Sequence, residues 1–439
     1  MAARLFSGFA LLFACCSLAS AFEPGDLVVA RRDVPILNSG QKVDQIGPGQ
    51  VLAVVETDGA KLRVSRGRPG WIDAADAIAL RDAETFFSKP FATGAGARDY
   101  LSRGTVRLAL EKHDEGIADL KKAVEMANEP GDYLESLGYA QLAANQQPAA
   151  IETFSRAIHD QPDSAPALMG RGLAYYQVGQ NQNAYRDLFK AIELQPQHAF
   201  PRKYVGALLH DLGKLDRART QLDFAVKLDP YDVFIRKALG RLLFDQGDYE
   251  AALGEFNAAT RLDAKDIEAV AGRGVVQHAI GIDLASAEAD FITAIKLVVH
   301  REDHAFLWSN LGQVQIELGK FPDAKTNLDK AIELEPNFNE ARSHRAWLIA
   351  ERFSSDEQLI ERAKNDLKKV MASQEPRTFW VYQAVARVNM ALGNYSGALT
   401  YQRLAFAEVK KSGPPRFVAI AEADLKRYAS NLSQVGIKR

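Results

Sequence analysis

The sequence predicts a mainly α fold, an α-solenoid of about nine helix pairs, preceded by a small all-β domain. Three observations carry this. Glycines at 104, 138, 172, 206, 240 and 274 keep a constant spacing of 34 residues. Small, large and proline residues recur at fixed offsets behind them. The residues ahead of the array have a different character, rich in valine, isoleucine and turn signals. A fixed period of this length marks stacked units, each of which buries its apolar face only against a neighbour.

In chain order, the first element is a leader. Arg4 precedes an apolar run from Leu5 to Leu18, then Ala19-Ser20-Ala21, a small-x-small step before Phe22. Residues 1–21 read as a secretory signal peptide, too short to span a bilayer. Export to the periplasm, the exterior or the envelope is therefore expected. The alternative processing is lipidation, because Leu12-Phe13-Ala14-Cys15 loosely resembles a bacterial lipoprotein box in which Phe13 is a poor fit. Both cysteines, Cys15 and Cys16, lie in this leader. A cleaved chain thus has no disulfide, thiol nucleophile or cysteine-ligated metal. Net charge is −2, and cleavage removes Arg4 alone, leaving 53 basic against 56 acidic residues. That balance argues against a nucleic-acid binder, and nothing beyond the leader is apolar for long enough to cross a membrane.

Residues 22–82 read as short strands. Asp26–Ala30, Val34–Leu37, Gln50–Val55, Leu62–Val64 and Gly70–Ile72 alternate with the turn signals Asn38-Ser39-Gly40, Gly47-Pro48-Gly49, Asp58-Gly59 and Arg68-Pro69-Gly70. The order Gly25-Asp26-Leu27-Val28-Val29, Gly49-Gln50-Val51-Leu52-Ala53-Val54 and Gly70-Trp71-Ile72 resembles the bacterial SH3-like domain, a small antiparallel barrel. That resemblance implies an interaction module of the cell envelope, some members of which bind cell-wall peptides or glycans. Trp71 is expected to pack in the barrel core, with a ligand-facing role as the alternative. Residues 83–96 read as a half-helix and flexible joint, with Phe86 and Phe87 covering the start of the array.

The array occupies residues 97–412. Behind Gly138 come Ala150, Phe154, Ala157 and Pro162; behind Gly172, Ala184, Leu188, Ala191 and Pro196; behind Gly206, Ala218, Leu222, Ala225 and Pro230. Glycine and alanine let two helices approach, the Phe or Leu fills their seam, and proline closes the unit. Gly179, Gly213, Gly247, Gly319 and Gly393 suit the left-handed residue that ends the first helix of a pair. The pattern resembles the tetratricopeptide repeat (TPR), which implies a right-handed superhelix. Nine units are read: 97–130, 131–164, 165–198, 199–232, 233–266, 267–301, 305–338, 339–378 and 379–412. The sixth has one extra residue and the eighth about five. In the ninth, Gln402 replaces the large apolar residue. Pro414-Pro415 breaks the chain, and 413–439 reads as a capping helix and tail, needed because a terminal unit exposes an apolar face.

The TPR resemblance implies ligand binding along the concave face made by the first helix of each pair. There the middle units offer Lys203, His210, Phe234, Lys237, Arg241 and Phe244. Cations beside aromatic anchors have the composition of a protein-binding hot spot, which points to an acidic or C-terminal segment of a partner. The competing reading packs Phe200 and Phe234 on the preceding unit and leaves the lysines to solvate a helix. The chaperone-type carboxylate clamp needs an asparagine where Ala207 and Arg241 stand. His300 and His304 are four apart, yet they fall at a junction between units where exposed polar residues are expected. No phosphate loop, nucleophile elbow or metalloprotease helix occurs. No catalytic residue, metal or cofactor is expected. The sequence therefore predicts a non-enzymatic exported scaffold for a protein or peptide segment. The alternative is a peptidoglycan-binding module that acts through the barrel, with the array as docking platform.

Overall fold

The computed structural model describes residues 22–65, 69–298 and 304–437. The expected leader, with Cys15, lies outside them. Two compact units emerge, one up to Leu239 and one from Gly240.

The first unit begins with seven strands: β1 (Leu27–Ala30), β2 (Val34–Asn38), β3 (Gln41–Ile46), β4 (Val51–Asp58), β5 (Lys61–Ser65), β6 (Pro69–Asp73) and β7 (Ala77–Ala79). They form one antiparallel sheet in the order β3-β2-β6-β5-β4-β1-β7. Alternate residues point inward, so Val34, Ile36, Leu52, Val54, Leu62, Val64 and Ile72 share one core. The same alternation decides Trp71. Its neighbours Gly70 and Ile72 are buried, whereas Trp71 is half-buried on the opposite face, with the Arg63 guanidinium 5.6 Å from its ring. The expected core position of Trp71 is thus corrected by the two-residue period of a strand. A shift in register between Val54 and Glu56 marks a bulge at Val55.

Helical segments follow the sheet. Helix α1 (Leu80–Ser88) leads into a short 3-10 turn, and Ala83 and Phe87 are buried in one cluster with Val29 of β1 and Val106 of the first repeat. The seam is polar as well. Ser102 Oγ donates to the Pro48 carbonyl at 3.0 Å, and Arg98 pairs with Asp33 at 2.5 Å. Gly49, at φ +85°, lies so close that a Cβ there would sit 2.5 Å from Ser102 Cα. The β domain is thereby fixed to the first repeat.

The repeats of this unit are α2 (Ala97–Ala109) with α3 (His113–Met126), α4 (Gly131–Ala143) with α5 (Gln147–Asp160), α6 (Ala165–Gln177) with α7 (Asn181–Leu194), and α8 (Ala199–Asp211) with α9 (Leu215–Leu228). The division between the units falls inside α10 (Val233–Asp245). The second unit continues with α11 (Tyr249–Leu262), α12 (Ile267–Ile280) with α13 (Leu284–Leu297), α14 (Ala305–Glu317) with α15 (Phe321–Leu334), α16 (Asn339–Arg352) with α17 (Glu357–Ala372), α18 (Phe379–Ala391) with α19 (Tyr395–Ser412), and a final helix α20 (Pro415–Ile437). Close approach inside a pair is literal. A Cβ on Gly138 would sit 2.6 Å from the Phe154 ring, and one on Gly170, in the next repeat, 2.2 Å from the same ring. The turns at Gly179, Gly213, Gly247, Gly319 and Gly393 have φ of +68° to +80°, as the helix-ending role requires. In the first two repeats Glu111 and Asn145 take that conformation instead, at φ +61° and +55°.

A second regularity lies beneath the first. Arg103 grips Asp119 with two hydrogen bonds of 2.8 and 2.7 Å, Arg171 grips Asp187 at 2.7 and 3.1 Å, and Arg273 grips Asp290 at 2.8 and 2.6 Å. Arg345 does the same to Asp366 at 2.8 and 2.7 Å. Each arginine precedes the small residue of the first helix, and each aspartate precedes the large residue of the second. Where the arginine is replaced by Leu137, Val205, Leu239 or Leu311, the aspartate is replaced too, by Thr153, Gln221, Glu255 or Asn327. Three of the arginines also reach the preceding repeat. Arg171 donates to Ser155 Oγ, Arg273 to Thr260 Oγ1 and Arg345 to Asp329. The ion pair thus ties its own helix pair together and the pair to its neighbour.

Removing one partner of such a pair leaves a buried charge, which costs about 3–5 kcal/mol. Asp187→Ala should therefore lower the protection of α6 and α7 in hydrogen exchange by that amount, while the β domain keeps its own. A left-handed conformation costs a non-glycine residue about 1–2 kcal/mol. Glu111→Gly should accordingly stabilise the first repeat by about 1 kcal/mol, read in the same experiment.

Candidate functional site

The six residues expected on the inner face divide between the two units. In the first, Lys203 Nζ sits 2.8 Å from Asp232 Oδ2, with both side chains largely buried. The rings of Phe200, Tyr204 and Phe234 lie 5.1, 5.4 and 5.0 Å from that ammonium. Asp232 also accepts from the Ile235 amide at the start of α10. Lys203 is therefore engaged within its own fold, where cation–π contacts add to the ion pair. Burial pushes the Tyr204 hydroxyl above the ordinary tyrosine range, slightly offset by Lys203. Phe234 stays 37% exposed and leans on Tyr204 at 5.4 Å. His210 and Lys237 are half-buried on α8 and α10.

The β domain forms the opposite wall here. Asp44, Ala53 and Val55 face Tyr139, Met169, Phe200 and Lys203 across a crevice of about 600 Å³. Arg63 reaches across to lie 4.5 Å from the Tyr231 ring. The bulge at Val55 belongs to this contact. In the first unit the inner face is thus partly covered by the chain's own sheet.

In the second unit, Arg241 pairs with Glu268, each about half exposed. Phe244 packs edge-on against Tyr249 at 5.2 Å. Together they open a cavity of about 530 Å³. Phe244, Ile267, Ala271, Val275 and Phe306 give it an apolar floor, and Arg241, Asp245, Glu268 and His304 form its polar rim. Phe306 is 39% exposed. These residues come from the first helices of successive pairs, which the close packing of each pair brings side by side. Of this floor the sequence singled out Phe244, whereas Ile267 and Val275 read as ordinary helix residues until α12 lies beside α10.

A second inner-face arrangement joins residues far apart in sequence. His278, buried near the end of α12, has Nε2 2.7 Å from Glu317 Oε1 of α14. Arg416, in the first turn of α20, donates to the His278 carbonyl at 2.6 Å and pairs with the same Glu317. Burial alone would raise the Glu317 carboxyl, but the His278 hydrogen bond and the two nearby charges hold it below the usual range. Phe417 packs 5.1 Å from Trp380 and 5.3 Å from His278. Gln402, the anomaly of the ninth repeat, is fully buried and donates to the Ala421 carbonyl of α20 at 3.1 Å. The amide nitrogen of that polar residue is thus held by the capping helix.

Of the two histidines four apart in sequence, His304 lines the cavity and His300 lies outside the described residues. Among the described residues no three His, Cys, Asp or Glu side chains cluster to hold a metal ion. Among them, too, no helix is long and apolar enough to cross a membrane.

One family model, described as tetratricopeptide repeat, matches residues 101–165, 136–199 and 208–267, and a second of the same description matches 305–338. These segments are tetratricopeptide repeats. The repeat is that of interaction scaffolds, which in general are not enzymes. The comparison with curated proteins found no match. Among solved structures, the Cut9–Hcn1 hetero-tetramer of APC/C is similar with a TM-score of 0.56 at 18% identity, over 70% of this chain and 59% of that one. A monomeric mutant of IFIT1 with m7Gppp-AAAA is similar at 0.50 and 14%, over 79% and 85%. YrrB, described as a TPR protein with an unusual peptide-binding site, gives 0.36 and 22%, over 44% and 96%. At these identities the first two likenesses are of fold alone, and the match spans about three-fifths of the length of the first of these structures.

The inner face of the second unit also holds a pH-sensitive group. His344 is fully buried, with Nδ1 3.3 Å from Ser309 Oγ and its ring 5.2 Å from Trp380. Burial, aided by His278, pushes its pKa from 6.5 down to about 3. Between those values the unfolded chain binds a proton that the folded one refuses. Stability should therefore fall by about 1.4 kcal/mol per pH unit as pH drops below 6.5. Denaturant titrations between pH 7 and 5 should show that slope, and His344→Leu should flatten it.

Proposed function

We propose that the chain is a non-enzymatic scaffold that seats an extended segment of a protein partner in the cavity floored by Phe244, Ile267, Ala271, Val275 and Phe306. The observation that carries this reading is the cavity itself, an apolar depression lined by first helices of the repeats, already shaped. A preformed site loses little freedom on binding. Its aromatic walls at Phe244 and Phe306 have the character of hot-spot anchors. The rim sets the chemistry of the ligand. Arg241 is matched by Glu268, and Asp245 adds a second carboxylate, so an apolar side chain enters the cavity and polar residues of either sign flank it. A uniformly acidic segment suits this rim less well than the sequence alone suggested. Export through the leader at residues 1–21 belongs to the same reading, and would be seen as a mature chain that begins at Phe22 in envelope fractions.

A photo-crosslinker at Val275 should capture a defined protein in native cells, whereas one at Glu250, on the exposed side of α11, should not. Phe244→Ala with Phe306→Ala should weaken that capture by more than tenfold, since each anchor is worth about 2 kcal/mol. Equal capture from both positions, or indifference to the double variant, would refute the reading.

One observation favours a second site. Trp71, turned outward, lines a crevice of about 490 Å³ with Leu37, Asp58, Lys61 and Asp73. If the SH3-like sheet binds cell-wall polymer, this crevice is where it does so. The full chain should then sediment with peptidoglycan, and Trp71→Ala should release it without loss of helical signal.

A further inference from the structure

We infer that the notch formed by His278, Glu317, Phe379 and Trp380 is a binding site for an arginine–aromatic step of a polypeptide, filled in the isolated chain by its own Arg416 and Phe417. The notch is distinct from the cavity at Phe244 and Phe306, and its test does not depend on that cavity having a ligand.

Three first helices of repeats converge on two consecutive residues. Glu317 of α14 supplies a carboxylate to the Arg416 guanidinium, and the end of α12 supplies the His278 carbonyl at 2.6 Å. Guanidinium suits this pair because its several donors lie in a fixed plane and can serve a carboxylate and a carbonyl together. The next residue enters an aromatic box. Phe417 lies 5.3 Å from His278, 5.1 Å from Trp380 and 6.3 Å from Phe379. Gly281 completes the fit, since a Cβ there would collide with Arg416. Charge, carbonyl and ring are thus presented in an order that reads a basic residue followed by an aromatic one.

The occupant is joined to the fold by a break. Helix α19 ends at Ser412, Gly413 and Pro414 follow, and α20 starts at Pro415. The dipeptide that fills the notch is the first turn after that break. It is held 138 residues away from its His278 partner in sequence.

An independent observation lies beside the notch. His344 Nε2, Gln313 Nε2, Gln383 Oε1 and Trp347 Nε1 are buried with no hydrogen-bond partner. They belong to α14, α16 and α18, helices of the same inner face. Asp424 of α20 reaches this row, accepting from Gln383 and from Arg387 at 3.3 and 2.9 Å. The row is therefore only partly satisfied by the chain's own helix. Buried polar groups are normally paired, so the cover that α20 gives this row leaves hydrogen-bonding capacity unused. The partner is accordingly a protein segment that carries an arginine followed by an aromatic residue, and it enters as the first turn of α20 leaves.

The probe is a fluorescent peptide with the chain's own residues 412–420, Ser-Gly-Pro-Pro-Arg-Phe-Val-Ala-Ile. It is titrated into the full-length protein and into an Arg416→Ala, Phe417→Ala variant. The double variant should bind at least tenfold more tightly than the parent, because its notch is vacated, and Arg416→Ala alone should shift binding in the same direction. Adding Glu317→Gln to the double variant should reverse the gain, and a peptide with its arginine replaced by alanine should bind weakly to all. Circular dichroism checks that each variant keeps its helices. Equal affinity for parent and double variant, or binding unaffected by Glu317→Gln, would overturn the inference.

Discussion

The structure rests on how closely two helices of a repeat can approach. Where Gly138 faces Phe154, Gly172 faces Leu188 or Gly206 faces Leu222, a single added methyl would sit less than 3 Å from the opposing side chain. Protein interiors are packed as tightly as crystals, so such a contact has no slack to absorb the extra atom. The approach sets the angle of each pair, the angle sets how the next pair stacks, and the stacking decides which residues of successive first helices stand side by side. Phe154 shows the coupling directly, since its ring fills space left by a glycine in its own repeat and by Gly170 in the next.

Charge is handled by the same geometry. The arginines at 103, 171, 273 and 345 are expensive to bury alone and are found only where an aspartate stands opposite on the second helix. A buried pair of this kind adds little net stability over an apolar one, and here it also reaches Ser155, Thr260 or Asp329 on the repeat before. The cations on the inner face obey the same rule. Lys203 is held by Asp232 and Arg241 by Glu268. The inner face is therefore less basic than its composition suggests, and the Phe244 cavity is lined mainly by apolar groups.

Each unit also supplies material to its own inner face. In the first, the sheet presents Asp44, Val55 and Arg63 toward Phe200, Lys203 and Tyr231. In the second, α20 places Arg416 and Phe417 against His278, Glu317 and Trp380. The physical reason is common to both. A row of first helices exposes apolar and hydrogen-bonding groups, and a tethered segment is always at high effective concentration. A partner that uses either region competes with the chain's own residues.

Period, unit boundaries, helix-ending glycines and the strand-rich start were legible in the sequence because each follows from local rules that repeat with a fixed spacing. The arginine–aspartate pairs were legible in principle, sixteen residues apart in the first and third repeats, with the spacing lengthened in the sixth and eighth by their extra residues. The candidate residues on the inner face could be named, but not their state of pairing, because a helix position does not reveal which carboxylate the neighbouring turn delivers. Trp71 shows the limit within one strand, where a shift of a single residue exchanges core for surface. The seating of the β domain on the first repeat, the apolar floor beside Phe244 and the docking of Arg416 at His278 were decided by tertiary structure alone. They join residues tens to more than a hundred positions apart, and no periodic signal records a contact made only once.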